Sequence, residues 1–102
     1  MKYNLHISAS TKIGFGLYIG CGVGIVMNAG TKIGNNVNIS QFLSIGTNHN
    51  TSAVIGDNVY IDPNVSIVED VIIGTNSLVG AGSVVVHDVL ENSTVVGYPA
   101  KK

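Results

Sequence analysis

The sequence predicts an all-β chain wound as a parallel solenoid of triangular section. Three observations predict it: aliphatic residues recur every six positions, glycine often follows them, and charge is scarce. Of 102 residues, 45% are hydrophobic and 11% are charged, where a typical globular domain has about 25% charged. The 13 glycines are about twice what an average usage of ~7% gives. Such a hydrophobic share excludes a disordered chain. So little charge also implies that part of the surface is covered, with other copies of the chain as the candidate cover.

The hexads run in order along the chain. The first series is Ile7, Ile13 and Ile19; the second is Met27, Ile33, Ile39 and Ile45; the third is Ile55, Ile61, Ile67, Ile73, Val79 and Val85. Four places after each aliphatic stands a small or branched residue, such as Leu17, Thr31, Val37, Leu43, Val59, Val65, Val71, Ser77, Ser83 and Val89. A helix would scatter these side chains around its circumference. The even spacing instead puts both on one face of a strand. Each hexad then supplies one short strand and one turn. Three hexads make a coil of about 18 residues, and coils stack at the ~4.8 Å strand spacing. Gly14, Gly20, Gly34, Gly46, Gly56, Gly74 and Gly80 follow the inward aliphatics where corners crowd. Asn35, Asn36, Asn58, Asn64 and Asn76 suit left-handed turn residues. A sandwich of short strands is the rival, and the near-unbroken hexads argue against it. Residues 1–102 are expected to form one domain of four to five coils.

Two interruptions break the count. Ile25-Val26 adds two residues between Gly24 and Met27. The polar segment from Thr47 to Val54 makes the step from Ile45 to Ile55 ten residues, four more than the repeat. A loop inserted into a regular solenoid at about 47–54 is where function tends to be placed.

Composition removes several function classes. Five lysines, no arginine and six acids give a net charge of −1, which argues against a nucleic-acid partner. No apolar run approaches the ~20 residues of a membrane span. Met1-Lys2-Tyr3-Asn4 does not open as a signal peptide. The single cysteine, Cys21, excludes an internal disulfide and fits a reducing compartment. The expected location is the cytoplasm.

These hexads match the pattern [Leu/Ile/Val]-Gly-X-X-[small/Val]-X from about Ile7 to Lys102. In this the chain resembles the hexapeptide-repeat acyltransferases, and within them serine acetyltransferase and the sugar O-acetyltransferases of surface-polysaccharide synthesis. The stretches that carry the likeness are Thr11 to Ile19, Val54 to Ile61, Val79-Gly80-Ala81-Gly82-Ser83-Val84-Val85 and the ending Gly97-Tyr98-Pro99-Ala100-Lys101. The resemblance implies a left-handed parallel β-helix, a homotrimer with sites between neighbouring solenoids, and acetyl-CoA as co-substrate. It implies acetyl transfer to a small hydroxyl acceptor, serine or a sugar. The helical amino-terminal domain of full serine acetyltransferases has no counterpart in this sequence.

Acetyl transfer needs a base for an acceptor hydroxyl, and a histidine suits the task. Aligned on Lys12-Ile13-Gly14-Phe15-Gly16, the family's catalytic histidine falls on Cys21. The acid that orients it falls on His6, and a second active-site histidine falls near Ser52. Relatives in the sugar branch carry Gly-X-His or Gly-X-X-His in the loop, which Ile45-Gly46-Thr47-Asn48-His49 matches. The catalytic candidates are therefore His49, Cys21 and His6. His49 is a base or CoA contact, or else a solvated loop residue. Cys21 with His6 is a chemically competent thiolate pair, or else a small corner residue and an edge histidine. His87 beside Asp88 reads as a surface turn, and Glu69-Asp70 as a solvated pair. Three histidines and one cysteine, far apart in sequence, show no metal-ligand spacing, and no metal is expected.

Counting places a cofactor groove. Pro63, Ala81 and Pro99 are eighteen residues apart. With the insertions allowed for, Cys21, Gln41, Pro63, Ala81 and Pro99 should stack down one corner. The resemblance makes this corner the seat of the pantetheine arm, held by backbone groups, though Pro63 offers no N–H. Lys101 and Lys102 at its lower end would meet the CoA phosphates as point charges, or else form a solvated tail. The expected function is an acetyl-CoA-dependent O-acetyltransferase. The alternative is a catalytically degenerate homologue serving as a structural or CoA-binding scaffold.

Overall fold

Each hexad offers two inward side chains separated by one outward residue, so the chain forms strands of two to four residues with a corner between each pair. The computed structural model describes residues 5–7, 12–20, 24–27, 30–46, 53–68, 71–97 and 99–101. Among these there is no helix. Face A stacks β1 (Leu5–Ile7), β4 (Ile25–Met27), β7 (Ser44–Ile45), β10 (Ser66–Ile67) and β13 (Val84–Val85). Face B stacks β2 (Lys12–Ile13), β5 (Lys32–Ile33), β8 (Val54–Ile55) and β11 (Ile72–Ile73). Face C stacks β3 (Tyr18–Ile19), β6 (Asn38–Ile39), β9 (Tyr60–Ile61), β12 (Leu78–Val79) and β14 (Thr94–Gly97). All of these pairings are parallel. A last strand, β15 (Ala100–Lys101), folds back antiparallel on β14. This is the left-handed parallel β-helix class, a three-sided solenoid of four to five coils.

The register measures each coil. Met27 pairs with Ile45 and Ile55 with Ile73, eighteen residues apart. Ile7 pairs with Met27, two more than that, and Ile33 with Ile55, four more. The second insertion falls between Ile45 and Ile55, as the sequence puts it. The first does not fall on Ile25-Val26, which pair with Leu5 and His6 as a regular strand with Ile25 fully buried, so the two extra residues lie between Ile19 and Ile25. The last coil is different. Ile73 pairs with Val89 and Val79 with Val95, sixteen apart. Two residues are missing between Val85 and Val89, so Val89 takes the inward place below Ile73.

Both inward series are buried. Val37 and Ile39, Leu43 and Ile45, Val59 and Ile61, and Val65 and Ile67 are all within 1% of full burial. At roughly 1.5–3 kcal/mol per fully buried aliphatic, these columns are the main stabilising term. Ile13 departs from the expectation, being 38% exposed, and Leu17 and Ile19 are only partly buried. Among the described residues the first coil packs against the core from one side alone. Ile61→Ala, in mid-stack, is expected to cost about 2–5 kcal/mol. In a denaturant titration this lowers the midpoint and leaves the slope unchanged.

Side chains tie the coils together at the corner between faces B and C. The Phe15 amide donates to Asn35 Oδ1 (3.0 Å), the Asn35 amide to Asp57 Oδ1 (2.8 Å), and the Asp57 amide to Thr75 Oγ1 (3.2 Å). A Cβ on Gly34 would strike Asp57 Oδ1 and come within 2.9 Å of the Gly56 carbonyl group, so glycine is required there by close approach. Asn36, Asn58, Asn76 and Asn92 follow with φ of 56–62°, which asparagine adopts at low cost. At the lower end Ser83 Oγ donates to Gly80 O (2.6 Å) and accepts from the Gly97 amide (3.2 Å), anchoring the final hairpin.

Candidate functional site

The corner between faces C and A carries Pro63 and Ala81, two of the four predicted cofactor residues. The Asn64 amide donates to Gln41 O (3.1 Å) and the Gly82 amide to Pro63 O (3.0 Å). These bonds stack Gln41, Pro63 and Ala81 in successive coils, as the count requires. Gln41 and Pro63 are half-buried and Ala81 is exposed. Pro99 leaves this column. With sixteen residues in the last coil, Gly97 takes the place below Ala81, and the chain turns back there. Gly97 has φ 109°, Gly97 pairs with Ala100, and Val96 pairs with Lys101. Pro99 therefore sits exposed in the hairpin turn, with Lys101 exposed on the strand that follows.

Of the catalytic candidates, only His6 falls among the described residues. His6 lies in β1, in register with Val26 on β4. Cys21 lies on the link from β3 to β4, in the sequence of the corner between faces C and A, and is outside the described residues. His49 is outside them too, on the segment that joins β7 to β8, between faces A and B. Ser52, Glu69, Asp70 and Lys102 are likewise not described. His87 is exposed beside Asp88, as the sequence suggests. Among the described residues no group of three His, Cys, Asp or Glu is placed to hold a metal ion, and no helix is long and apolar enough to cross a membrane.

A groove of about 310 Å³ lies elsewhere, on face B, lined by Val54, Ile72, Asp88, Leu90 and Glu91 among others. It exists because the shortened last coil draws residues 88–91 against β11. Asp88 Oδ1 accepts from the Ile72 amide (2.8 Å), so its carboxylate holds the backbone there. The groove is mostly apolar, and no histidine lines it.

Sequence reasoning missed one feature of the corner between C and A. Its left-handed position is occupied by Gly24 (φ 70°), Phe42 (φ 59°), Asn64 (φ 62°) and Gly82 (φ 75°) in successive coils. The recurring Gly and Asn were signals for this position, but a phenylalanine is not.

Residues 52–87 match the family model for the bacterial transferase hexapeptide, six repeats. The serine acetyltransferase of Bacillus licheniformis is 35% identical over 101 residues, covering 95% of this chain and 47% of that protein. The solved structure of Neisseria gonorrhoeae serine acetyltransferase in complex with serine superposes with a TM-score of 0.92 at 38% identity, covering 96% of this chain and 42% of that one. A serine acetyltransferase in complex with CoA superposes with a TM-score of 0.91 at 30% identity, over 95% of this chain and 41% of that one. The chain spans about half the length of the curated relatives it matches.

Proposed function

We propose that this chain, which belongs to the hexapeptide-repeat acyltransferase superfamily, is the transferase solenoid of a cytoplasmic acetyl-CoA-dependent O-acetyltransferase acting on a small hydroxyl acceptor, serine or a sugar. The observation that carries it is the likeness over at least 95% of the chain to serine acetyltransferases solved with serine and with CoA. The stacked corner of Gln41, Pro63 and Ala81 supports a seat for the pantetheine arm. Outward backbone groups there would hold amides and carbonyls, with Pro63 contributing only its carbonyl. The hairpin with Pro99 and Lys101 closes the lower end, where Lys101 meets phosphate as a point charge.

The solenoid works as a homotrimer in this reading. The outward positions of face A (Val26, Ser44, Ser66 and Val84) carry no charge, which suits packing against a second copy. Face A is flanked by the Cys21 corner on one side and the His49 segment on the other. Packing about a three-fold axis brings the His49 segment of one copy towards the Cys21 corner of the next. His49 takes the proton from the acceptor hydroxyl. The alkoxide attacks the thioester carbonyl, the C–S bond breaks, and the departing CoA thiolate takes up the proton. Backbone amides stabilise the oxyanion in between.

Cys21, standing where the family's catalytic histidine falls, favours a second reading: a scaffold that binds CoA without turnover. A thiol-release assay with acetyl-CoA, serine and a panel of sugars separates the two, together with thermal unfolding in CoA. The enzyme reading expects turnover and a rise in unfolding temperature of roughly 10–20 °C at about 100 times Kd. The temperature rise without turnover selects the scaffold. Neither response overturns both.

A further inference from the structure

The outward residues of face B form a single column whose two ends carry opposite charge. Lys12 is in register with Lys32, Lys32 with Val54, and Val54 with Ile72. Asp88 stands below Ile72, because Val89 pairs with Ile73. All five are exposed. Down the column the order is cation, cation, aliphatic, aliphatic, anion. At ~4.8 Å per coil its ends are roughly 19 Å apart. Lys12 and Lys32 sit side by side on neighbouring strands, where like charges repel. The strands of faces A and C, β15 apart, contain neither lysine nor acid among the described residues.

The apolar residues of this face complete a self-complementary pattern. Among the described residues the two most exposed large hydrophobics are Phe15 (74%) and Leu90 (70%). Both stand at the edge of face B towards face C, Phe15 in the first coil and Leu90 in the last. A two-fold axis through Val54, along the strand direction, reverses the order of the coils and keeps each lateral position. Lys12 then meets the partner's Asp88, and Phe15 meets the partner's Leu90. Lys32 lays its aliphatic stem over the partner's Ile72, and Val54 meets its own mate on the axis. The Asp88 carboxylate is already fixed against the face by the Ile72 amide (2.8 Å), and a carboxylate accepts further bonds. A parallel arrangement would instead set lysine against lysine.

We infer that face B is an interface between two copies of this chain, packed antiparallel about that two-fold axis. In the homotrimer proposed above, face A is taken up by the three-fold contact, so face B joins one trimer to another. The test is sedimentation velocity on the full chain over a range of concentrations. The expected mass exceeds three copies, or equals two if copies pair without the three-fold contact. Added salt should weaken the pairing by screening its charged ends. Two variants locate the contact. Lys12→Glu with Lys32→Glu makes both ends of face B acidic. Asp88→Asn with Glu91→Lys makes both ends basic and keeps an oxygen for the Ile72 amide. Each variant alone should associate at least about tenfold more weakly, by like-charge repulsion. An equimolar mixture of the two should regain the wild-type mass, a rescue that a folding defect would not give. A mass that stays at one or three copies at every concentration overturns the inference. So does a variant that associates unimpaired on its own, or a mixture that does not recover. Thiol release tests the acetyltransferase reading and not this pairing, so either can fail without the other.

Discussion

His49→Ala is expected to lower kcat by about 10²–10⁴-fold, the range that a positioned general base contributes. The hydroxyl of an acceptor is a poor nucleophile until its proton is taken, and among the three histidines only His49 lies in an inserted polar segment. His87 is exposed at the turn after β13, and His6 stands in β1, in register with Val26. The segment around His49 adds four residues to its coil without disturbing the strands on either side: Ser44 pairs with Ser66 and Val54 with Ile72 in step. The substitution should therefore leave the unfolding temperature and the CoA-induced rise unchanged while turnover falls. A loss of turnover accompanied by unfolding would make His49 a structural residue. Full turnover in the variant would place the base elsewhere.

The interior of this protein was legible because burial constrains it at every rung. Val59, Ile61, Val65 and Ile67 are read correctly from spacing alone, since a strand one residue out of step would expose its aliphatics and bury polar groups. The same logic counts both insertions but misplaces the first, since Ile25 and Val26 belong to β4 and the two extra residues precede them. It fails at the lower end, where Val89 continues an apparent hexad from Val85 but belongs in the column of Ile73. Both series are aliphatic there, so composition does not distinguish a six-residue step from a four-residue one; a clue was that strict counting would put Glu91 inside. The displacement of Pro99 follows from that one short step. The outward residues obey no such rule. Asn35, Asp57 and Thr75 form one ladder although they differ in type, because each needs only an oxygen within reach of the amide in the coil before it. Nothing in the hexad pattern announces Phe42 as left-handed, since the position is recognised by Gly and Asn and a phenylalanine there breaks the rule. The stacked corner was legible because it is built from backbone: Gln41, Pro63 and Ala81 stack as counted, while the side chains around it follow no spacing rule.

Cys21→His is expected to raise kcat by at least about tenfold, short of the full 10²–10⁴ of a supported general base. The alignment puts Cys21 where the family has its catalytic histidine, but the acid that orients that histidine is replaced by His6, fifteen residues earlier. An imidazole at 21 would have the right reach without the carboxylate that fixes its tautomer and stabilises its protonated form. His6→Asp alone should therefore do little, and the double variant should gain more than the two single changes together. Such non-additivity is expected of groups that act as one unit. Two other outcomes decide between the remaining roles. If Cys21→His changes nothing while His49→Ala abolishes turnover, His49 is the sole base and position 21 is a corner residue. If Cys21→Ala abolishes turnover, and the wild-type chain forms an acetyl-thioester on Cys21 detectable by intact mass, the cysteine is a nucleophile. In that case the acetyl group passes first to its sulfur, releasing CoA, and then to the acceptor hydroxyl. That two-step path predicts parallel lines in double-reciprocal plots, whereas direct transfer predicts intersecting ones.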